Sequence, residues 1–398
     1  PNMTQHLKTL WPAATVNFCY YSVFGGVISY LAIFLTSRDF SSAEIGQLFA
    51  IYTISRVVAG QLWAWLSDRK GDPRLFFQLG LILTFLFFLP AWFTEHKWLL
   101  FTCITLAMTC FMSVVSQIEV LSMMAAKDEP VLYNRIRLFG SLGFIAAALL
   151  VGWQIDHLGA ELVIVFGLLS IVATGLVSTR LKVNNHVVTT NSDGTLDDDF
   201  GLRCRQLGFV IFMLASVLLQ VSFAPYISFF TKFLAEQGYQ GMEIGVLFSL
   251  GTLAEIFLFV YAGRLLGRLD LKLIMTVCLL LTALRWWALA HLVDSWVVVV
   301  VTQLGHAFSF GLMHSASIYF IRQQFTSRQQ NRGQFMYLGI TYGVGGAIGM
   351  ALTGLTWNNG LGGANTFVWA GWAVFLAALL ILMTPRKNFQ FDVMKARV

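Results

Sequence analysis

Six side chains able to do chemistry stand inside long apolar runs of this sequence: Arg56, Glu119, Glu255, Arg285, His306 and His314. A charge at bilayer depth costs about 2.5–3.5 kcal/mol even on lenient insertion scales. Such an ion faces either a partner or a polar cavity. A carboxyl group in a low-dielectric setting keeps its proton to higher pH, as a proton carrier working near neutral pH must. An arginine in the same setting suits a carboxylate. His306 and His314 are eight residues apart and share roughly one helix face, two turns apart. The bland reading is that these groups only pair with one another and hold helices together. The functional reading is a central polar cavity with a substrate anchor and a proton carrier. In that reading Arg56, Trp286 and His314 are candidate substrate contacts. For any one aromatic, Trp286 and Tyr337 included, a core or interfacial position is the commoner outcome.

The elements that position these groups are apolar spans. Apolar residues make up 57% of 398 residues and charged residues 12%. Soluble domains carry roughly 25% charged residues, and runs of about 20 apolar residues span a bilayer. The pattern predicts an all-α membrane protein with twelve transmembrane helices in two pseudo-symmetric six-helix bundles. The first six run Ala13–Thr36, Glu44–Leu66, Leu75–Phe93, Trp98–Met123, Leu138–Ile155 and Leu162–Thr179. The second six run Leu207–Thr231, Met242–Leu265, Leu271–Leu292, Trp296–Ile321, Gly333–Trp357 and Thr366–Met383. Residues 1–179 form one bundle and 206–398 the other, joined by a cytoplasmic linker over 180–205. The linker's Asn and Thr and its run Asp197-Asp198-Asp199 cannot bury a core. Gly25-Gly26 allows a local bend in the first span. The glycines of the eleventh, among them Gly345 and Gly349, allow close helix approach.

An internal repeat supports two homologous halves. Glu243-Ile244-Gly245 recurs 199 positions after Glu44-Ile45-Gly46, and the same shift places Glu255 on Arg56. Such halves suggest a transporter with its site between them. With both termini cytoplasmic, twenty-one lysines and arginines lie inside and three outside, Arg38, Lys97 and Lys232. The inside set includes Arg135 and Arg137 as loop residues, and the terminal Lys395 and Arg397. After the second span comes a compact charged turn, Ser67 to Arg74. There Asp68 can cap a helix end while Arg69 and Arg74 reach neighbouring carbonyls or acids and clamp a gate. The cysteines show no metal-like or paired spacing, and no metal or other cofactor is implied. HExxH, GxSxG and Asp-rich spanning motifs are absent, which argues against an enzyme. The basic residues are loop-borne and dispersed, which argues against nucleic-acid binding. No cleavable signal is visible, so the first span serves as its own insertion signal.

The run Ala64-x-Leu66-Ser67-Asp68-Arg69-x-Gly71-x-x-Arg74 resembles the loop signature of the major facilitator superfamily (MFS). It departs at Ala64, where glycine is usual, and at Asp72, where a basic residue is usual. Glu119 and the segment Arg135-Ile136-Arg137-Leu138-Phe139-Gly140 resemble the lactose-permease branch of oligosaccharide:proton symporters. There a glutamate and an arginine eighteen residues apart bind sugar, and Glu119 and Arg137 keep that spacing. Gly251-x-x-Ala254-Glu255, Arg285 and His306 are similar to that branch's coupling residues in order and approximate spacing. A glutamate expected three positions after the histidine is here Ser309. His306, His314 and Tyr319, with Arg56, look more like the phenylpropionate-permease branch. The resemblance implies the MFS fold and a proton-coupled symporter acting by alternating access in the inner membrane, functional as a monomer. Its partners would be a small-molecule substrate, a proton and the lipid bilayer. An aromatic monocarboxylate is the favoured substrate; a sugar, oligosaccharide or nucleoside is the alternative, and drug efflux a further one.

Overall fold

The computed structural model describes residues 3–127, 129–182 and 199–390, and every regular element among them is helical. Residues 183–198 of the expected linker, and Lys395 and Arg397, lie outside the described residues. The first half contains α1 (Met3–Val23), α2 (Leu31–Ser37), α3 (Ser42–Lys70), α4 (Pro73–Phe88), α5 (Pro90–Phe93), α6 (Lys97–Ser113), α7 (Val115–Ala125), α8 (Pro130–Leu158) and α9 (Leu162–Ser178). The second contains α10 (Phe200–Cys204), α11 (Leu207–Glu236), α12 (Gly241–Arg268), α13 (Leu271–Leu292), α14 (Trp296–Leu304), α15 (Met313–Gln324), α16 (Gln330–Leu338), α17 (Gly346–Trp357) and α18 (Gly363–Met383). Among the described residues nine helices are long and apolar enough to cross a bilayer. A tenth span is added if Leu10–Ile28 and Leu31–Ser37, bent by 43°, count as one. The two remaining expected segments are helical as well. One is α3, whose charged residues dilute its apolarity; the other is α9, apolar but 17 residues long.

Several boundaries differ from expectation for local reasons. Helix α8 starts at Pro130 rather than Leu138, with proline at a helix start, where its missing N–H would have been unpaired anyway. Arg135 and Arg137 are therefore helical rather than loop residues. The expected fourth span breaks at Val114 into α6 and α7. Three π-turns interrupt spans, at Phe24–Ile28, Ala307–Leu312 and Gly339–Gly345. Such wide turns displace a helix's faces and are frequent at functional sites. At Gly25 a Cβ would run into the Phe144 carbonyl, and at Gly143 into that of Phe18, so glycine lets these backbones touch. The described end of the linker is not extended chain. Phe200 is buried against Phe325 with the Arg332 guanidinium 4.1 Å from its ring centroid.

The repeat is legible in the helix starts. In α3, Ser41 and Glu44 form a capping box, the Glu44 carboxylate accepting from Ser41 N at 2.8 Å. In α12, Glu243 does the same for Gln240 N, also at 2.8 Å. Here the N-terminal amides of Gly241 and Met242 donate instead to the carboxylate of Asp156, at 2.6 and 2.9 Å.

Packing divides the described residues into two compact units. One takes in those within Pro1–Asn191 together with Ser228–Ser249; the other takes those within Ser192–Ile227 and Leu250–Val398. In the first, α1 packs on α8 and α9, and α6 packs on α3 and α4. In the second, α13 packs chiefly on α18. Buried threonines such as Thr84, Thr282, Thr341 and Thr353 donate to the carbonyl four residues back. Their hydroxyls are thereby satisfied inside apolar helices.

Candidate functional site

In the first unit the Val114 break re-aims α7, and Glu119 meets Arg137 of α8 at 2.8 Å. Two tyrosine hydroxyls complete the carboxylate. Tyr21 donates to Oε1 at 3.0 Å, and Tyr133 donates to Oε2. The Arg137 guanidinium also lies 4.6 Å from the Tyr21 ring centroid. The pair stays about a third exposed, at 37% for Arg137 and 31% for Glu119, so it is open to a polar ligand. Arg56, half-buried on α3, lies close enough to Tyr20 and Tyr52 for its charge to act on both hydroxyls. The charges of Glu119 and Arg137 reach Tyr20 as well. The charges of all three expected residues thus act on one buried tyrosine.

In the second unit the expected coupling residues form a chain of contacts. The His306 imidazole lies between Arg285 of α13 and Glu255 of α12. Arg285 Nη1 is 3.4 Å from its Nδ1, and Glu255 Oε2 is 3.4 Å from its Nε2. Arginine can only donate, so Nδ1 accepts. The proton of the neutral ring is then on Nε2, facing the carboxylate. The network thus assigns His306 as the neutral Nε2–H tautomer. Arg285 is 4% exposed. Its guanidinium rests on two rings, 4.4 Å from the Tyr226 centroid and 4.6 Å from that of Trp286. Cation–π contact of this kind is worth about 2 kcal/mol when desolvated. Among the described residues, its Nε and Nη2 donors are buried and meet no acceptor in good hydrogen-bond geometry, although the Tyr226 hydroxyl lies close enough to interact with the guanidinium.

Trp286 is wholly buried, donating its indole N–H to Ser222 Oγ at 3.2 Å. In this conformation it covers Arg285 rather than an open wall. His314 is half-buried, with Nδ1 3.1 Å from the Tyr342 hydroxyl. Between the two histidines sits Phe310. Its ring is nearly parallel to both, at 5.4 Å and 4° from His306 and 5.8 Å and 6° from His314. Gly311 makes room for the aliphatic stem of Glu255, which would be 3.2 Å from a Cβ there. Ser309 is buried, its hydroxyl unpartnered among the described residues.

The charged turn acts as a clamp on backbone carbonyls. Arg74 Nη1 donates to Leu181 O at 2.7 Å and Thr179 O at 3.4 Å, at the end of α9. Lys272 makes a similar contact in the second unit, donating to Leu382 O at 2.8 Å and Thr384 O at 2.7 Å at the end of α18. Arg69 lies over the Trp65 ring. The cap of α4 is Asp72, whose Oδ1 accepts from Leu75 N at 2.9 Å. Asp68, expected in that role, is exposed in the last turn of α3, one helical turn too early.

Sequence reasoning missed Tyr21, Tyr133, Tyr226, Phe310 and Tyr342. Tyr133 lies four residues before Arg137, and Phe310 midway between the histidines; helical spacing could have found both. Tyr21 lies 98 residues from Glu119 and leaves no local signal.

Residues 10–369 match the family described as MFS_1 like. A maltose permease of Geobacillus stearothermophilus is 26% identical over 343 residues, covering 85% of this chain and 84% of that one. A probable 3-phenylpropionic acid transporter of Escherichia coli (strain K12) is 24% identical over 312 residues, covering 76% and 80%. The crystal structure of the nucleoside transporter NupG superposes with a TM-score of 0.81 at 16% identity, over 96% of this chain and all of that one.

Proposed function

The chain belongs to the MFS_1-like family of multi-pass membrane secondary transporters, and we propose that it is a proton-coupled symporter of an aromatic monocarboxylate. The cycle is alternating access, with the protein working as a monomer in the inner membrane and both termini cytoplasmic. The observation that carries this reading is the Arg285–His306–Glu255 chain, its arginine buried and its other two members half-buried. It places one carboxyl group, reachable through one neutral ring, inside a span where an uncompensated charge is expensive. That is the arrangement of a group that exchanges a proton as part of a cycle. Arg56 attracts the substrate carboxylate, and Glu119 with Arg137 offers polar contacts. Catalysis has no part in this reading.

The test uses purified protein in proteoliposomes. E255Q should exchange 3-phenylpropionate across the membrane yet fail to concentrate it under an imposed pH gradient. Accumulation at the wild-type level in E255Q would remove Glu255 from the proton path. A second reading, a sugar or nucleoside symporter, is supported by the Glu119–Arg137 pair and its two tyrosine hydroxyls, a polar set suited to hydroxylated ligands. If R56A leaves aryl-acid uptake intact but abolishes sugar uptake, the carboxylate-anchor role of Arg56 is wrong.

A further inference from the structure

The geometry points to the Nε/Nη2 edge of Arg285 as a carboxylate-binding fork whose occupation brings one proton onto Glu255. This deepens the monocarboxylate reading and rests on it, but seats the bound carboxylate on Arg285 in place of Arg56. Buried donors without acceptors are rare in native proteins, and each calls for an explanation. In Arg285 the two unpartnered donors are Nε and Nη2, the adjacent N–H groups that form the side-on fork. That edge matches the two oxygens of a carboxylate, giving parallel charge-assisted bonds. Nη1, on the other edge, is engaged by His306 Nδ1. Glu255 does not fill the fork, because its Oε2 is turned to His306 Nε2. Both N–H groups are shut from solvent in this conformation. Gly305 packs against this side chain, where a Cβ would lie 3.6 Å from Arg285 Cδ. This glycine ends α14 just before the π-turn Ala307–Leu312.

Charge balance then ties substrate to proton. The groups around Glu255 and Arg285 are His306, Tyr226 of α11, His314 of α15 and Tyr342 of the third π-turn. The tyrosines are neutral near pH 7, and the contacts of His306 assign it as neutral. Arg285 and an ionised Glu255 therefore cancel. A substrate carboxylate on the fork would leave one net negative charge in a low-dielectric space. One proton from solution, taken by a Glu255 oxygen, restores neutrality, and acid and proton cross together without net charge. His314 is the competing acceptor, and it is separated from the fork by Phe310 and held at Nδ1 by the Tyr342 hydroxyl.

The experiment mixes purified protein with 3-phenylpropionate in weakly buffered solution, following binding by calorimetry and protons by an indicator dye. Wild type should take up about one proton per acid bound. E255Q should bind the acid with no proton uptake. R285K keeps the charge but loses the fork, and should bind at least about tenfold more weakly. The proton counts on wild type and E255Q do not depend on the folding of R285K, which its melting curve checks. Wild-type binding without proton uptake, uptake persisting in E255Q, or wild-type affinity in a folded R285K would each overturn the inference. If R56A abolishes binding and R285K does not, the anchor is Arg56 and only this inference falls. If wild type binds maltose and no aryl acid, the substrate reading falls first.

Discussion

His306 separates two mechanisms, and replacing it with glutamine tells them apart. The ring meets Arg285 and Glu255 through opposite nitrogens, both at 3.4 Å. Glutamine offers the same pair of functions, an amide oxygen that accepts and an NH2 that donates. If His306 is a neutral bridge, H306Q preserves both contacts and H306A loses both. Hydrogen bonds to charged groups are worth about 1.5–3 kcal/mol when well formed. At 3.4 Å these two are long, so the lower figure applies, about 3 kcal/mol for the pair. Each variant also loses the parallel ring contact with Phe310, about 0.5–1.5 kcal/mol. H306A should therefore cost about 4 kcal/mol of stability and H306Q about 1 kcal/mol. In proteoliposomes H306Q should still concentrate substrate under an imposed pH gradient, and H306A should not. Exchange retained with accumulation lost in H306Q would mimic E255Q. It would mean that the imidazole itself carries the proton, and the tautomer assigned from Arg285 would be wrong.

Three further outcomes are expected. R74A and K272A each remove a cation from two end-of-helix carbonyls. At these partly exposed positions each should cost about 1 kcal/mol, and because the clamps belong to different units the double variant should show the sum in chemical denaturation. The Asp199 carboxyl is held below its usual range by the Gln329 amide first and Arg203 second. Its contribution to docking of α10 is thus present above the unfolded-state value near 4 and lost as pH falls through the lower folded value. Hydrogen-exchange protection of the α10 amides should fall only in that acid window, and D199N should show the low protection at every pH. Finally, Phe310→Leu should weaken aryl-acid binding about three- to tenfold through loss of a ring contact, while Phe310→Tyr should not; equal affinities in a calorimetric titration would remove Phe310 from the site.

What could be read from the sequence is what repeats locally. Helical spacing put His306 and His314 on one face, and the family resemblance singled out Glu119 and Arg137, which do pair. The 199-residue repeat, read in the sequence as a sign of two homologous halves, shows in the structure as a shared helix start in which Glu44 and Glu243 each accept from the backbone N–H three residues earlier. The rest depended on backbone detail and on distant partners. A break at Val114 or a π-turn at Ala307 changes which face a residue presents without changing composition. Asp72 rather than Asp68 caps α4 because α3 runs on through Lys70, four residues past the last apolar position, Leu66.

The repeat also carries an asymmetry. It places Glu255 where the first half has Arg56, so one mid-helix position kept its depth and reversed its charge. An ion at that depth must be compensated within its own surroundings. Around Glu255 the compensation is a histidine that touches an arginine on its other side. On the proposed mechanism that arrangement is neutral with or without a bound anion, provided a proton accompanies the anion. Proton exchange in that mechanism rests on a single ionisable carboxyl rather than a symmetric pair, and so sets one proton per cycle.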